Sequence, residues 1–284
     1  MTQVIYDFGG TGDTLHLAVA NGFPPQTYEP MLVPLLKRYH ALSLVPRALW
    51  EDEPVPRQRL NWKQTLAADL INGLRQHDLQ NIIGIGHSFG GVATLLAAIA
   101  EPQRFRAIIL LDPTILPAVE MWWMRLARWT GRDLGNPLPQ RAEKRKTQFE
   151  SRQAAYDYFK QKRLFADWHP AAFEGYINAL RQNGTGVTLA WAREWEAYYF
   201  RTLYTGTWRE LRKLRQTGLP VLTIRGGTSD TLLPSAAKHM CRLLPEMSYH
   251  EIAGHGHLFP QSAPHQTSEV ITSWLEKTLS VSPS

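Results

Sequence analysis

The sequence predicts an α/β fold with a mostly parallel central sheet flanked by helices and a helical segment inserted between two of its strands. Three observations carry this. The run Ile82-Ile-Gly-Ile85 leads through Gly86-His-Ser-Phe-Gly90 straight into Val92–Ala100, which is apolar or small all round, the pattern of a buried parallel strand followed by a buried helix. Strand-like and helix-like stretches alternate as far as Leu111, which implies parallel strands joined by right-handed crossovers. The alternation then stops, and no convincing strand is read from Thr114 to Arg215 before it resumes at Leu219. The expected organisation is therefore a core at 1–113, a helical cap at 114–215 and the rest of the core at 216–284.

In chain order, Val4–Phe8 and Thr14–Ala20 read as strands joined by Gly9-Gly-Thr-Gly-Asp13. This is a tight turn and not a phosphate loop, because the third glycine of G-x-G-x-x-G would fall at Leu15 and no helix follows. No dinucleotide cofactor is expected. Asn21-Gly-Phe-Pro-Pro25 leads into a helical stretch from about Tyr28 to Tyr39, and His40–Pro46 is a plausible strand. In the following loop Trp50 is a candidate for the border of a pocket. Leu66, Leu70, Ile71 and Leu74 mark a helix over Trp62–Gln76, and Phe105–Leu111 is an apolar strand ending in Asp112-Pro113. The segment that follows is rich in tryptophan, at Trp122, Trp123, Trp129, Trp168, Trp191, Trp195 and Trp208. Leu219–Arg225 and Ser248–Ile252 read as the last strands, and Val270, Ile271, Trp274, Leu275 and Leu279 make a closing amphipathic helix.

Composition bounds the function. A chain of 284 residues can bury a full core, and its single cysteine excludes an internal disulfide framework and any multi-cysteine metal site. Lys+Arg number 31 against 25 Asp+Glu, a net charge of +6. Part of that excess is concentrated at Arg141, Lys144, Arg145, Lys146, Arg152, Lys160, Lys162 and Arg163, which is consistent with an acidic carrier protein or an anionic surface, although a solvated helical face is the preferred account. The N-terminus has no basic region followed by a long apolar one, and no stretch has the roughly 18 apolar residues of a membrane span. An unprocessed cytoplasmic protein is expected, with no nucleic-acid partner.

The stretch Gly86-His-Ser-Phe-Gly90 fits G-x-S-x-G, in which the serine occupies a strained strand-to-helix turn and the flanking glycines let the two backbones pass closely. Ser88 then stands at a helix N-terminus, where the Phe89 N–H and the positive end of the helix dipole can stabilise an oxyanion. A serine hydroxyl is a weak nucleophile near neutral pH and needs a base, which in turn needs an orienting group.

Gly86-His-Ser-Phe-Gly-Gly91 resembles the nucleophile elbow of the α/β-hydrolase superfamily. The resemblance implies a triad in the chain order serine, acid, histidine. Arg225-Gly-Gly-Thr-Ser-Asp230 is similar to the family's acid loop and makes Asp230 the expected acid, with Asp112, also just past a core strand, as its rival. Gly256-His257-Leu-Phe-Pro260 followed by Pro264 matches the register of the family's histidine loop and makes His257 the base. His255 becomes a loop histidine that could touch substrate, while His87 is explained by packing. The loop at Asn21-Gly22 stands where the family usually has His-Gly, so the Phe23 N–H is the implied second oxyanion donor. The helical insertion resembles the family's cap, and Trp191, Trp195 and Tyr198 are its candidate substrate contacts. The expected activity is hydrolysis of a carboxylic ester of a small or medium apolar substrate through an acyl-enzyme, without metal or cofactor. A thioesterase or acyltransferase, a carbon–carbon hydrolase or lyase with the same triad, and a non-catalytic binding protein are the alternatives.

Overall fold

The computed structural model describes residues 3–51, 53–129 and 137–279. Its strands in chain order are β1 (Ile5–Gly10), β2 (Asp13–Ala18), β3 (Tyr39–Leu44), β4 (Ile82–His87) and β5 (Phe105–Leu111), then β6 (Gln148–Phe149), β7 (Arg181–Asn183) and β8 (Gly186–Thr188), and finally β9 (Val221–Gly226) and β10 (Ser248–Ile252). The main sheet has the order β1-β3-β2-β4-β5-β9-β10, with β1 antiparallel to β3 and every other neighbouring pair parallel. Parallel strands send all their carboxyl-end loops to one edge of the sheet, the edge at which open α/β sheets bind ligands. The loops after β2, β4, β5, β9 and β10 therefore converge there.

The middle of this sheet is as dry as its composition demands. Every residue of β4 is buried, and the helix Phe89–Ala100 behind it is buried from Phe89 through Ala98. Two glycines permit the contact. A Cβ on Gly86 would lie 2.5 Å from the Gly90 carbonyl oxygen, and one on Gly90 would lie 2.2 Å from that of Ala18. Elsewhere a helical expectation is broken up. The stretch from Tyr28 to Tyr39 holds one α-turn, Glu29–Leu32, between 3-10 turns at Pro25–Tyr28 and Val33–Lys37, because Pro30 and Pro34 each remove an amide donor.

The insertion between β5 and β9 is mainly helical, with helices at Ala118–Trp129, Leu138–Glu143, Arg152–Lys160, Pro170–Asn178, Arg193–Arg201 and Thr207–Leu214. It also holds a three-stranded antiparallel sheet, β6-β8-β7, which corrects the expectation that the segment lacks strands. Those strands are two or three residues long, too short to show alternation, and the pairing of Gln148 with Thr188 has no local signature. Trp168, Trp191, Trp195 and Trp208 are buried, whereas Trp122, Trp123 and Trp129 are exposed.

Two members of the basic cluster of this segment are engaged by the protein itself. Arg145 turns inward onto Glu196 and the Tyr176 hydroxyl, and Arg152 donates to the carbonyls of Ile177, Asn178 and Leu180. Lys146, Lys160 and Lys162 lie over the rings of Phe149, Tyr156 and Tyr158. Among the described residues, no helix is long and apolar enough to cross a membrane.

Candidate active site

Ser88 stands between β4 and the following helix with φ 59° and ψ −120°, a conformation outside the regular regions. Its N–H donates to the Leu111 carbonyl at 2.9 Å, and its own carbonyl accepts from Thr114 N–H at 3.1 Å and Val92 N–H at 3.3 Å. The surrounding backbone thus holds the turn from both sides. The Phe89 ring is caged by Trp62, Tyr199 and Trp191, with centroids 5.8, 5.1 and 5.9 Å away. That cage fixes the first N–H of the helix, for which α-helical geometry supplies no carbonyl partner.

His257, in the loop after β10, places Nε2 2.9 Å from Ser88 Oγ and Nδ1 2.6 Å from Asp112 Oδ2. The Asp112 carboxylate is wholly buried at the end of β5. Its Oδ1 accepts from Gly226 N–H at 3.1 Å, and its Oδ2 also accepts from the Ser229 hydroxyl at 2.5 Å. Three donors therefore satisfy a charge that would be costly to bury alone. Since an ionised carboxylate can only accept, Nδ1 of His257 carries the ring proton and Nε2 is left as the acceptor for the Ser88 hydroxyl.

This overturns the expected acid. Asp230 is exposed on the loop after β9, while the adjoining Ser229 is buried and turned to Asp112. The physical reason is topological: β5 and β9 are neighbours, so both strand ends reach the His257 loop, and the carboxylate turned inward there is that of Asp112. Asp112 follows β5 with φ 40°, its N–H bonded to the Ile224 carbonyl at 2.7 Å. The end of β9 contributes a backbone N–H and the loop after it a hydroxyl instead. Ser229→Ala is accordingly expected to lower kcat on the order of tenfold, the kinetic equivalent of the roughly 1.5 kcal/mol carried by a hydrogen bond to a charged group. Steady-state rates of the folded variant check it, and an unchanged kcat contradicts it.

The Phe23 N–H donates to the Ala20 carbonyl at 3.2 Å, closing a turn in which Gly22 has φ +90°, so this donor is engaged within its own loop. Its ring packs on Trp168 and Tyr176. Trp191 reaches the elbow through the Phe89 ring. Trp195 and Tyr198 turn their polar atoms elsewhere: Trp195 Nε1 donates to the Glu53 carbonyl at 2.9 Å, and the Tyr198 hydroxyl accepts from Leu60 N–H and donates to the Gln58 carbonyl, both at 2.9 Å. They fasten the loop after β3. His255 places Nδ1 2.8 Å from the Ser262 hydroxyl and is a loop brace. Trp50 donates to the Val45 carbonyl and carries the Arg47 guanidinium over its ring. Sequence reading missed Thr114, whose Oγ1 is 3.2 Å from Ser88 Oγ, and Ser229. For Thr114 a signal existed, since it lies two residues past Asp112, an acid that directly follows a core strand.

The family model for the alpha/beta hydrolases matches residues 22–270. The chain belongs to the alpha/beta hydrolase family. Relatives of this alpha/beta hydrolase include the abhydrolase domain-containing protein AFT2-1 of Alternaria alternata, 24% identical over 234 residues that cover 70% of this chain and 84% of that protein. A shorter match, 29% identical over 108 residues, covers 33% of this chain and 24% of the type I acyl-CoA thioesterase mpaH' of Penicillium brevicompactum. Among solved structures, E-2-(acetamidomethylene)succinate hydrolase superposes with a TM-score of 0.72 at 17% identity, covering 96% of this chain and 94% of its own. A likeness at that identity speaks for the alpha/beta hydrolase fold alone.

Proposed function

We propose that this alpha/beta hydrolase is a serine hydrolase that cleaves a carboxylic ester of a small or medium apolar substrate through an acyl-enzyme. The observation that carries the proposal is the unbroken series Ser88 Oγ, His257, Asp112, with separations of 2.9 and 2.6 Å, at the sheet edge where the loops converge. In this reading His257 Nε2 takes the Ser88 proton as Oγ attacks the ester carbonyl. Asp112 holds the imidazole tautomer and offsets the imidazolium charge. The Phe89 N–H and the helix dipole receive the developing oxyanion, and Phe23 supplies the second N–H by giving up its long bond to Ala20. His257 then protonates the leaving alcohol, and water attacks the acyl-enzyme with His257 again as base.

The insertion at 114–215 acts as a cap. Asn21 Nδ2, in the loop beside the elbow, donates to the Glu196 carbonyl at 3.0 Å, so cap and oxyanion loop are in direct contact. Ser88 is 8% exposed, and substrate entry requires the cap to yield. The aromatic surroundings of Phe89, Trp191 and Tyr199 suit an apolar acyl group. Action in the cytoplasm belongs to the same proposal.

A thioester is the second reading, favoured by the acyl-CoA thioesterase relatives. Arg141, Lys144, Lys146, Lys160, Lys162 and Arg163 are exposed and available to an acidic carrier. Rates on p-nitrophenyl esters and on acyl-CoA thioesters of matched chain length separate the two. The ester reading predicts higher kcat/KM on the esters and no turnover of either by Ser88→Ala. Turnover confined to the thioesters makes this enzyme a thioesterase.

A further inference from the structure

His87, the residue before the nucleophile, takes no part in proton transfer, yet it is fully buried and both its ring nitrogens are bonded. Nε2 lies 3.0 Å from the backbone carbonyl of His257, and Nδ1 lies 2.7 Å from the Tyr28 hydroxyl. The same hydroxyl lies 2.9 Å from the Ala20 nitrogen. The two ends of this series settle every proton in it. A carbonyl only accepts, so His87 Nε2 carries the hydrogen. A neutral imidazole then presents Nδ1 as acceptor, the Tyr28 hydroxyl donates to it, and the tyrosine oxygen accepts from Ala20 N–H. Burial, reinforced by the neighbouring His257, pushes His87 well below the usual histidine range, so a second ring proton does not compete.

We propose that His87 and Tyr28 are positioning residues that act as one unit, setting His257 and the oxyanion loop against Ser88; this rests on the serine-hydrolase reading. The juxtaposition is specific. His87 is the last residue of β4, so its ring has a fixed relation to Ser88, the next residue. At one end the unit grips the peptide of the histidine that must sit 2.9 Å from Ser88 Oγ. The two imidazoles also lie against each other, with centroids 5.0 Å apart at 42°. At its other end the unit holds the Ala20 N–H, at the start of the loop that carries Phe23. One buried series thus spans the nucleophile strand, the base and the loop of the second oxyanion donor. Rate falls steeply with misplacement of such groups by fractions of an ångström.

A double-variant cycle on folded protein tests this, using Tyr28→Phe, His87→Phe, the pair together, and His87→Gln. The readouts are kcat and KM on a p-nitrophenyl ester and the rate of labelling by a fluorophosphonate. Each single change to phenylalanine is expected to lower kcat about tenfold with KM within about twofold. The pair should be no worse than His87→Phe alone, because breaking one series twice costs little more than breaking it once. His87→Gln, whose amide N–H can donate to the His257 carbonyl, should recover part of the rate. Multiplied losses in the pair, or no recovery with glutamine, mean that the two residues only fill space and overturn the proposal. If His87→Phe fails to fold, Tyr28→Phe removes a single oxygen and carries the test: an unchanged kcat and labelling rate overturns the positioning role. A wild type that is itself neither active nor labelled defeats the serine-hydrolase reading, and the positioning role falls with it, whereas an active wild type with an unchanged Tyr28→Phe variant defeats the positioning role alone.

Discussion

Asp112→Asn is expected to lower kcat by about 10⁴-fold, the loss that follows when the orienting carboxylate of a serine triad becomes an amide. Asp230→Asn is expected to leave kcat within about twofold of wild type, as surface changes away from a site generally do. The first effect follows from the accepting role of Asp112 Oδ2, 2.6 Å from His257 Nδ1. An amide nitrogen there donates instead, favours the wrong imidazole tautomer and takes the lone pair on Nε2 away from the Ser88 hydroxyl. The second follows from the exposure of Asp230. Steady-state kinetics with near-native circular dichroism for both variants decide the matter. A large loss at Asp230 with little at Asp112 would return the acid to the end of β9.

Glu196→Leu is expected to destabilise the fold by about 3 kcal/mol, because it strands the Arg145 guanidinium in a largely buried site. The two side chains form an ion pair that is 19% exposed at Arg145 and 11% at Glu196, and Arg145 also reaches the Tyr176 hydroxyl at 2.6 Å. Desolvation raises the Glu196 carboxyl above the usual range while Arg145 opposes that rise. The pair sits directly on the oxyanion loop: a Cβ on Gly22 would lie 3.2 Å from the Glu196 carboxyl carbon and 3.4 Å from an Arg145 nitrogen. Replacing both together, Arg145→Met with Glu196→Leu, should restore most of the lost stability, since no unpaired charge remains. Urea denaturation of the single and double variants measures this. Equal stability of wild type and Glu196→Leu would mean that solvent already screens the pair.

How much of this was legible in the sequence depended on how local each feature is. The elbow was, because its glycines and strand-to-helix turn lie within a few residues of Ser88, and the structure gives Gly86 and Gly90 the close backbone contacts such a turn needs. His257 was legible from the register of its loop. The acid was not, because Asp112 and Asp230 both follow core strands, and choosing between them requires knowing which side chain turns inward where β5 meets β9. The Asp112-Pro113 pair also reads as a turn. Ser229 and Asp112 are 117 residues apart, and Tyr28 and His87 are 59 apart, so neither contact leaves a periodic trace. In the cap, the aromatic spacing of Trp195 and Tyr198 was correctly helical, but it carried no information on whether those side chains face substrate or the loop at Glu53 to Leu60.

The central claim is that Ser88 is an activated nucleophile. Intact-protein mass spectrometry after incubation with a fluorophosphonate tests it most directly. One stable adduct, mapped by proteolysis to the peptide holding Ser88 and absent from Ser88→Ala and His257→Ala, is the predicted result. A folded wild type that gains no adduct, or an adduct that persists in Ser88→Ala, would contradict the account.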